Sequence, residues 1–405
     1  MNTAVRMACR RLTSAALPAC ALAVVPAALA AQNYPPATGA ELVDASGERI
    51  YSGSCANCHG MDGTGLPPSL VGFEEELPDF SDCDFAAREP DGDWIAVAHE
   101  GGPVRGFSEM MPAFRGALTE EQLARVMGHI RTLCTDEAWP RGELNLPRAL
   151  LTEKAYPEDE WVIEADFDIE DGGDAGGAYV YEHRFGPRSQ LEVAVPFRWR
   201  REGGEVSRRE GEGGALVDEG EPTGDLTVGN VSLGWKHAFY HSLERGAILS
   251  IMGEAILPTS PREQGGEGAL EIFLSAGQLL PSDAFLQAQG GMEVGAHYRY
   301  GLPLYEDGRD QAFARVLLGL SRTEGPWGRT WSPMLEFQAK LGLEDGGTTT
   351  MDLVPQVQVA LNTRQHVLAN VGVMLPVGEA VDSRRPRLFL YLLLDWFDGG
   401  FFEGW

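Results

Sequence analysis

Two periods divide the chain. Between Thr119 and Cys134, Leu123, Val126, Met127, Ile130 and Leu133 recur at i, i+3, i+4, i+7 and i+10, so one face of a helix is apolar. Thr119-Glu120-Glu121-Gln122 supplies a capping box at its start. Beyond residue 160 the period falls to two. Met292, Val294, Ala296, Tyr298 and Tyr300 alternate with Glu293, Gly295, His297 and Arg299, and Leu335, Phe337, Ala339, Leu341 and Leu343 alternate with Glu336, Gln338, Lys340 and Gly342. Similar two-faced segments fall at 161–168, 177–185, 189–200, 226–240, 246–258, 268–278, 284–301, 309–323, 330–344, 349–362, 365–377 and 386–397. This predicts about twelve strands.

The connections between these segments alternate in kind. Residues 170–176, 201–225, 258–267, 302–308, 344–348 and 378–385 are longer, Gly-rich and acidic, whereas 186–189, 241–245, 279–283 and 362–365 are tight. Long loops on one rim, short turns on the other and strands of 10 to 15 residues describe an antiparallel barrel able to cross a lipid bilayer. A soluble β-sandwich also alternates and stands as the other reading. The last strand, Leu388-Phe-Leu-Tyr-Leu-Leu-Leu-Asp-Trp-Phe, and the terminal Trp405 resemble the aromatic C-terminal signal of bacterial outer-membrane barrels.

Composition sharpens the division. Of 405 residues, 50 are Gly and 25 Pro, which favours turns and argues against a helical bundle. The formal charge is −28, which disfavours nucleic acid as a partner. Residues 1–31 carry Arg6, Arg10 and Arg11, no acid, and an apolar run ending Ala28-Leu29-Ala30-Ala31, the form of a secretory signal peptide. No later window reaches the roughly 18 to 20 apolar residues of a membrane helix, so any membrane crossing falls to strands. Residues 32–140 hold four cysteines, 19 acids, six Arg and no Lys. Residues 141–160 mix Pro, Gly and charge without a period and read as a linker between a helical domain at 32–140 and the β domain at 161–405.

The chemistry concentrates at Cys55-Ala56-Asn57-Cys58-His59. Two thiols at this spacing can form thioethers with porphyrin vinyl groups while the adjacent imidazole reaches the iron. A CxxC disulfide or a zinc half-site is the plainer alternative, although no second Cys/His pair with zinc spacing follows. Around this motif stand Gly47, Tyr51 and Gly60, then Pro68-Ser69-Leu70-Val71-Gly72 and Met111-Pro112-Ala113-Phe114. With these, residues 38–134 resemble the class I c-type cytochrome family.

That resemblance implies a small all-α cytochrome c domain with one covalent haem c, bound by Cys55 and Cys58. It makes His59 the proximal ligand, Met111 the distal one, and the Pro68 carbonyl the acceptor of the imidazole's other proton. Met110 competes with Met111, and His99 and His129 are packing or surface residues on this reading. Trp94 serves either near a haem propionate or as a core aromatic. Once the haem pair is assigned, Cys83 and Cys134 remain, and an exported chain predicts a disulfide between them. The Glu74-Glu75-Glu76 run reads as a solvated surface.

A cytochrome ahead of a barrel is similar in layout to the monohaem cytochrome-porin fusions of iron-oxidising bacteria. The expectation is single-electron transfer rather than enzymatic turnover, with outer-membrane lipid and periplasmic redox carriers as partners and a cationic or small-molecule donor. An even strand number places both barrel termini, and with them the haem domain, on the periplasmic side. Two other functions fit the same residues: a soluble periplasmic carrier with a β-sandwich docking domain, and a haem enzyme such as a peroxidase.

Overall fold

A computed structural model describes residues 43–169, 174–201, 209–210, 216–217, 224–259, 268–299, 302–304, 310–343, 347–378 and 384–405. The leader expected at 1–31 and much of the long acidic connections lie outside them.

The N-terminal part is helical, with α1 at Gly47–Ser54, α2 at Ala56–His59, α3 at Pro68–Val71, α4 at Cys83–Ala86, α5 at Asp91–Glu100 and α6 at Glu120–Ile130. The predicted capping box forms: Thr119 Oγ1 accepts from the Gln122 N–H and Gln122 Oε1 from the Thr119 N–H. Leu123, Val126, Met127 and Ile130 of α6 are buried with Ile50 and Tyr51 of α1. The two helices meet at Gly47, where a Cβ would stand 1.9 Å from the Arg125 carbonyl oxygen, so only glycine permits this crossing. Cys83 and Cys134 are bonded, tying α4 to the segment after α6.

The C-terminal part is a closed barrel of twelve antiparallel strands: β1 Glu160–Asp168, β2 Asp174–Phe185, β3 Ser189–Arg201, β4 Ser232–Ser242, β5 Ala247–Ile256, β6 Gly268–Leu280, β7 Ala284–Arg299, β8 Gln311–Leu320, β9 Thr330–Gly342, β10 Thr349–Ala360, β11 Val367–Val377 and β12 Arg387–Asp395. Each strand pairs with its sequence neighbours, and β12 returns to β1 from Glu160 opposite Asp395 to Asp168 opposite Arg387. Closure leaves no open edge. The sandwich reading is thereby set aside, and the strand count agrees with the alternation.

The barrel is inverted relative to a soluble protein. Along β9, Ser332, Met334, Glu336 and Gln338 are buried inside, while Trp331, Leu335, Phe337 and Leu341 are exposed outside. On β6, Ile272 and Leu274 are more than half exposed. An apolar outer face around a polar lumen is stable when the surrounding medium is itself apolar.

Residues 141–160, expected to link the two parts, do more than connect them: they enter the lumen as a finger and return. Leu146 and Ala149 pack with Phe285, Leu317 and Met334. Deeper in, the Leu150 N–H donates to Gln356 Oε1 at 3.0 Å, Thr152 donates to Glu336, and Arg315 donates to the Leu151 carbonyl at 2.7 Å. The finger also brings positive charge to lumenal acids. Arg148 pairs with Glu182 and Glu160, and Lys154 Nζ lies 2.7 Å from Glu158 and 2.8 Å from Glu160. Charges this deeply buried persist because each has a partner.

The haem-motif domain rests against the turn ends of the barrel. Arg88 pairs with Asp84 and Asp159 and lies over the Phe397 ring, while Asp159 also meets His183 Nδ1 at 2.8 Å. Arg105, 5% exposed, pairs with Asp93 and donates to the Trp327 carbonyl.

Candidate haem site

α1 ends at Ser54, and the chain tightens into one further turn, α2, that carries the thiols and imidazole. The His59 N–H donates to the Cys55 carbonyl at 3.0 Å, and Gly60, at φ +76°, stops the turn. Glycines at 63 and 65, also at positive φ, fold the next residues back so that the N–H groups of Gly65 and Leu66 donate to the carbonyls of His59 and Cys58. The Tyr51 hydroxyl, held protonated by burial, donates to the Gly60 carbonyl at 2.8 Å. This pins α2 to α1.

His59 stacks on Phe80, with ring centroids 5.0 Å apart. Phe80 in turn touches Trp94 and Phe85, and the Arg131 guanidinium lies 4.0 Å from the centre of the Trp94 ring. Trp94 is thus part of the aromatic core, one of the two roles expected. Burial lowers the pKa of His59 and keeps its imidazole neutral, the form that can ligate a metal. Cys55 and Cys58 are unbridged, and burial next to Cys58 pushes the Cys55 thiol up to about 12.

Met111 packs against the same helical core as Cys55, whereas Met110 is half exposed. The Gly102 N–H donates to the Met111 carbonyl at 3.0 Å, and the N–H groups of Phe114 and Arg115 donate to the carbonyls of Ala98 and His99. The methionine loop is therefore held at both ends against α5. His99 pairs with Glu100 and packs on Trp327, and His129 packs on Tyr51, so both are engaged elsewhere.

His59 Nδ1 is enclosed without a hydrogen-bond partner among the described residues, and the Pro68 carbonyl accepts the N–H of Gly72 at 2.8 Å. That bond closes the single turn of α3 in a left-handed cap and takes one of the carbonyl's two lone pairs. The sequence reading missed Phe80, whose signal was only an aromatic among acids.

Two unbridged thiols one helical turn apart, a neutral imidazole with an unpartnered buried nitrogen, and a thioether in the same core fit covalent haem c. The class defined by this site is a c-type cytochrome. The family described as cytochrome c oxidase, cbb3-type, subunit III matches residues 43–130. Cytochrome c-554(547) of Halothiobacillus neapolitanus is 32% identical over 96 residues, covering 22% of this chain and 94% of that protein. Through this N-terminal domain the chain belongs to the cytochrome c family, and its cofactor is covalently bound haem c. Among solved structures, an outer membrane channel from Pseudomonas putida F1 is 11% identical with a TM-score of 0.41, covering 62% of this chain and 99% of that one. The KdgM porin is 7% identical with a TM-score of 0.35, covering 58% and 99%.

Proposed function

We propose that the protein is a monohaem electron-transfer protein seated in the outer membrane by its barrel, with the haem domain on the periplasmic side. The observation that carries this reading is the docking of the Cys55–His59 domain on the short-turn end of a barrel whose outer face is apolar. Bound haem c supplies a one-electron couple at its iron. Cys55 and Cys58 would hold the group through thioethers, and His59 and Met111 would ligate its iron. An imidazole with a thioether as ligands would favour the reduced iron and would suit electron transfer better than substrate chemistry. With haem present, the Pro68 carbonyl has a second lone pair free for His59 Nδ1, a bond that would fix the tautomer.

The domain's excess of acids over Arg and its lack of Lys favour a cationic donor or a periplasmic redox carrier with a basic docking face. The apolar outer belt favours lipid over a soluble setting.

The decisive experiment combines membrane fractionation of the haem-loaded protein with protease digestion of intact and opened cells. Heat-modifiable gel mobility, resistance to salt extraction and haem-domain cleavage only in opened cells are expected. Release by salt alone would rule out the membrane seat, and cleavage in intact cells would reverse the orientation.

A further inference from the structure

The distal-ligand loop is gripped from outside its own domain. Gly102–Arg105 make a short 3-10 turn capped by Gly106 at φ +69°, and this turn is tied to Met111 through the Gly102 N–H. Arg364, on the turn between β10 and β11, reaches into it. Its Nη2 donates to the Gly106 carbonyl at 2.8 Å, Nε lies 3.4 Å from the Arg105 carbonyl, and the guanidinium stands 4.5 Å from the centre of the Phe107 ring. Its Nη1 donates to the Asp398 carbonyl and pairs with Glu403 at 2.6 Å. The planar fork therefore joins three pieces: the haem-domain loop, a barrel turn and the C-terminal tail.

The tail closes the other side. A Cβ on Gly106 would stand 2.5 Å from the Gly404 Cα, and the Thr363 N–H donates to the Gly404 carbonyl at 2.7 Å. Gln365 donates to Asp93, which also holds Arg105. No free cytochrome domain would have these contacts, since they come from residues more than 250 positions downstream.

We propose that Arg364 is a positioning residue for the haem site: by clamping residues 105–107 from the barrel side, it limits movement of the Met111 loop and so sets how readily the distal side opens to another ligand. This rests on Met111 being the distal ligand. A loop held by its own domain alone samples open states more often than one also gripped from the barrel, and an added ligand binds in proportion to the open fraction. The barrel would thus tune the redox site as well as carry it.

The test uses the full haem-loaded chain in detergent, with imidazole as the probe of the ferric form and the weak thioether-to-iron band near 695 nm as the second readout. Arg364→Ala is expected to bind imidazole about tenfold more tightly and to lose part of the band. Arg364→Lys keeps a charge beside Glu403 without the fork and is expected to fall with the alanine variant. Gly106→Ala attacks the same contact from the opposite side and should shift affinity in the same direction. Arg387→Ala, which breaks a pair with Asp166 at the other end of the barrel, should leave both readouts at wild-type values. Wild-type imidazole affinity in all three clamp variants, with the band lost in Met111→Ala, would overturn the clamp and leave the ligand assignment standing. A Met111→Ala spectrum identical to wild type would overturn the ligand assignment, and the clamp with it.

Discussion

Arg105 of the cytochrome domain donates to the backbone carbonyl of Trp327, 2.7 Å away on the turn between β8 and β9. A buried guanidinium spent on a carbonyl 222 positions downstream marks the two parts as a single folded object. Several consequences can be measured.

With Met111 as the proposed distal ligand, replacing it with alanine should abolish the 695 nm band and lower the reduction potential, because a thioether ligand favours ferrous iron. Met110→Ala, half exposed and off the core, should leave both unchanged. Optical spectra and potentiometric titration of the two variants check this. The reverse result would exchange their roles.

Arg148→Ala leaves Glu182 buried without the cation it pairs with and Glu160 with Lys154 alone. Loss of one partner of a buried pair costs about 3–5 kcal/mol. The midpoint of denaturant or heat unfolding, followed by gel mobility of the barrel, should fall accordingly, while the haem spectrum of the surviving folded protein stays as in wild type.

On the outer face of β6, Ile272→Arg tests the membrane seat. A charge facing lipid near mid-bilayer costs about 2–4 kcal/mol, whereas on a water-facing surface it costs almost nothing. Reduced recovery of heat-modifiable protein in the membrane fraction is expected. Wild-type recovery would place this face in water.

A pH effect should arise at the seam. Burial, with Asp93 and Asp395 nearby, pushes the Glu89 carboxyl up to about 7, and it shares a hydrogen bond with Asp398. An acid whose pKa is higher folded than unfolded contributes its stability at low pH. That contribution is complete below about 4.5 and is lost as pH rises to about 7, by roughly 3 kcal/mol at most. Melting temperatures compared at pH 4.5 and 7.5 should show this loss in wild type and a flatter profile in Glu89→Gln.

The attachment motif was readable because its chemistry is local: Cys55, Cys58 and His59 need only one turn of helix between them. The strands were readable for a similar reason, since the alternation of Leu335, Phe337 and Leu341 with Glu336 and Gln338 reports the two faces directly. What stayed hidden depends on distant partners. Residues 141–160 look like a tether in isolation, yet Thr152 finds Glu336 and Leu150 finds Gln356, each more than 180 positions away.

The finger in the lumen also fixes how far the redox domain can travel. Twenty free residues would let it wander about 25 Å from its anchor. Here those residues are used up inside the wall of strands, leaving no slack. On the proposed function, an electron-transfer partner would meet the haem domain at the rim of the barrel.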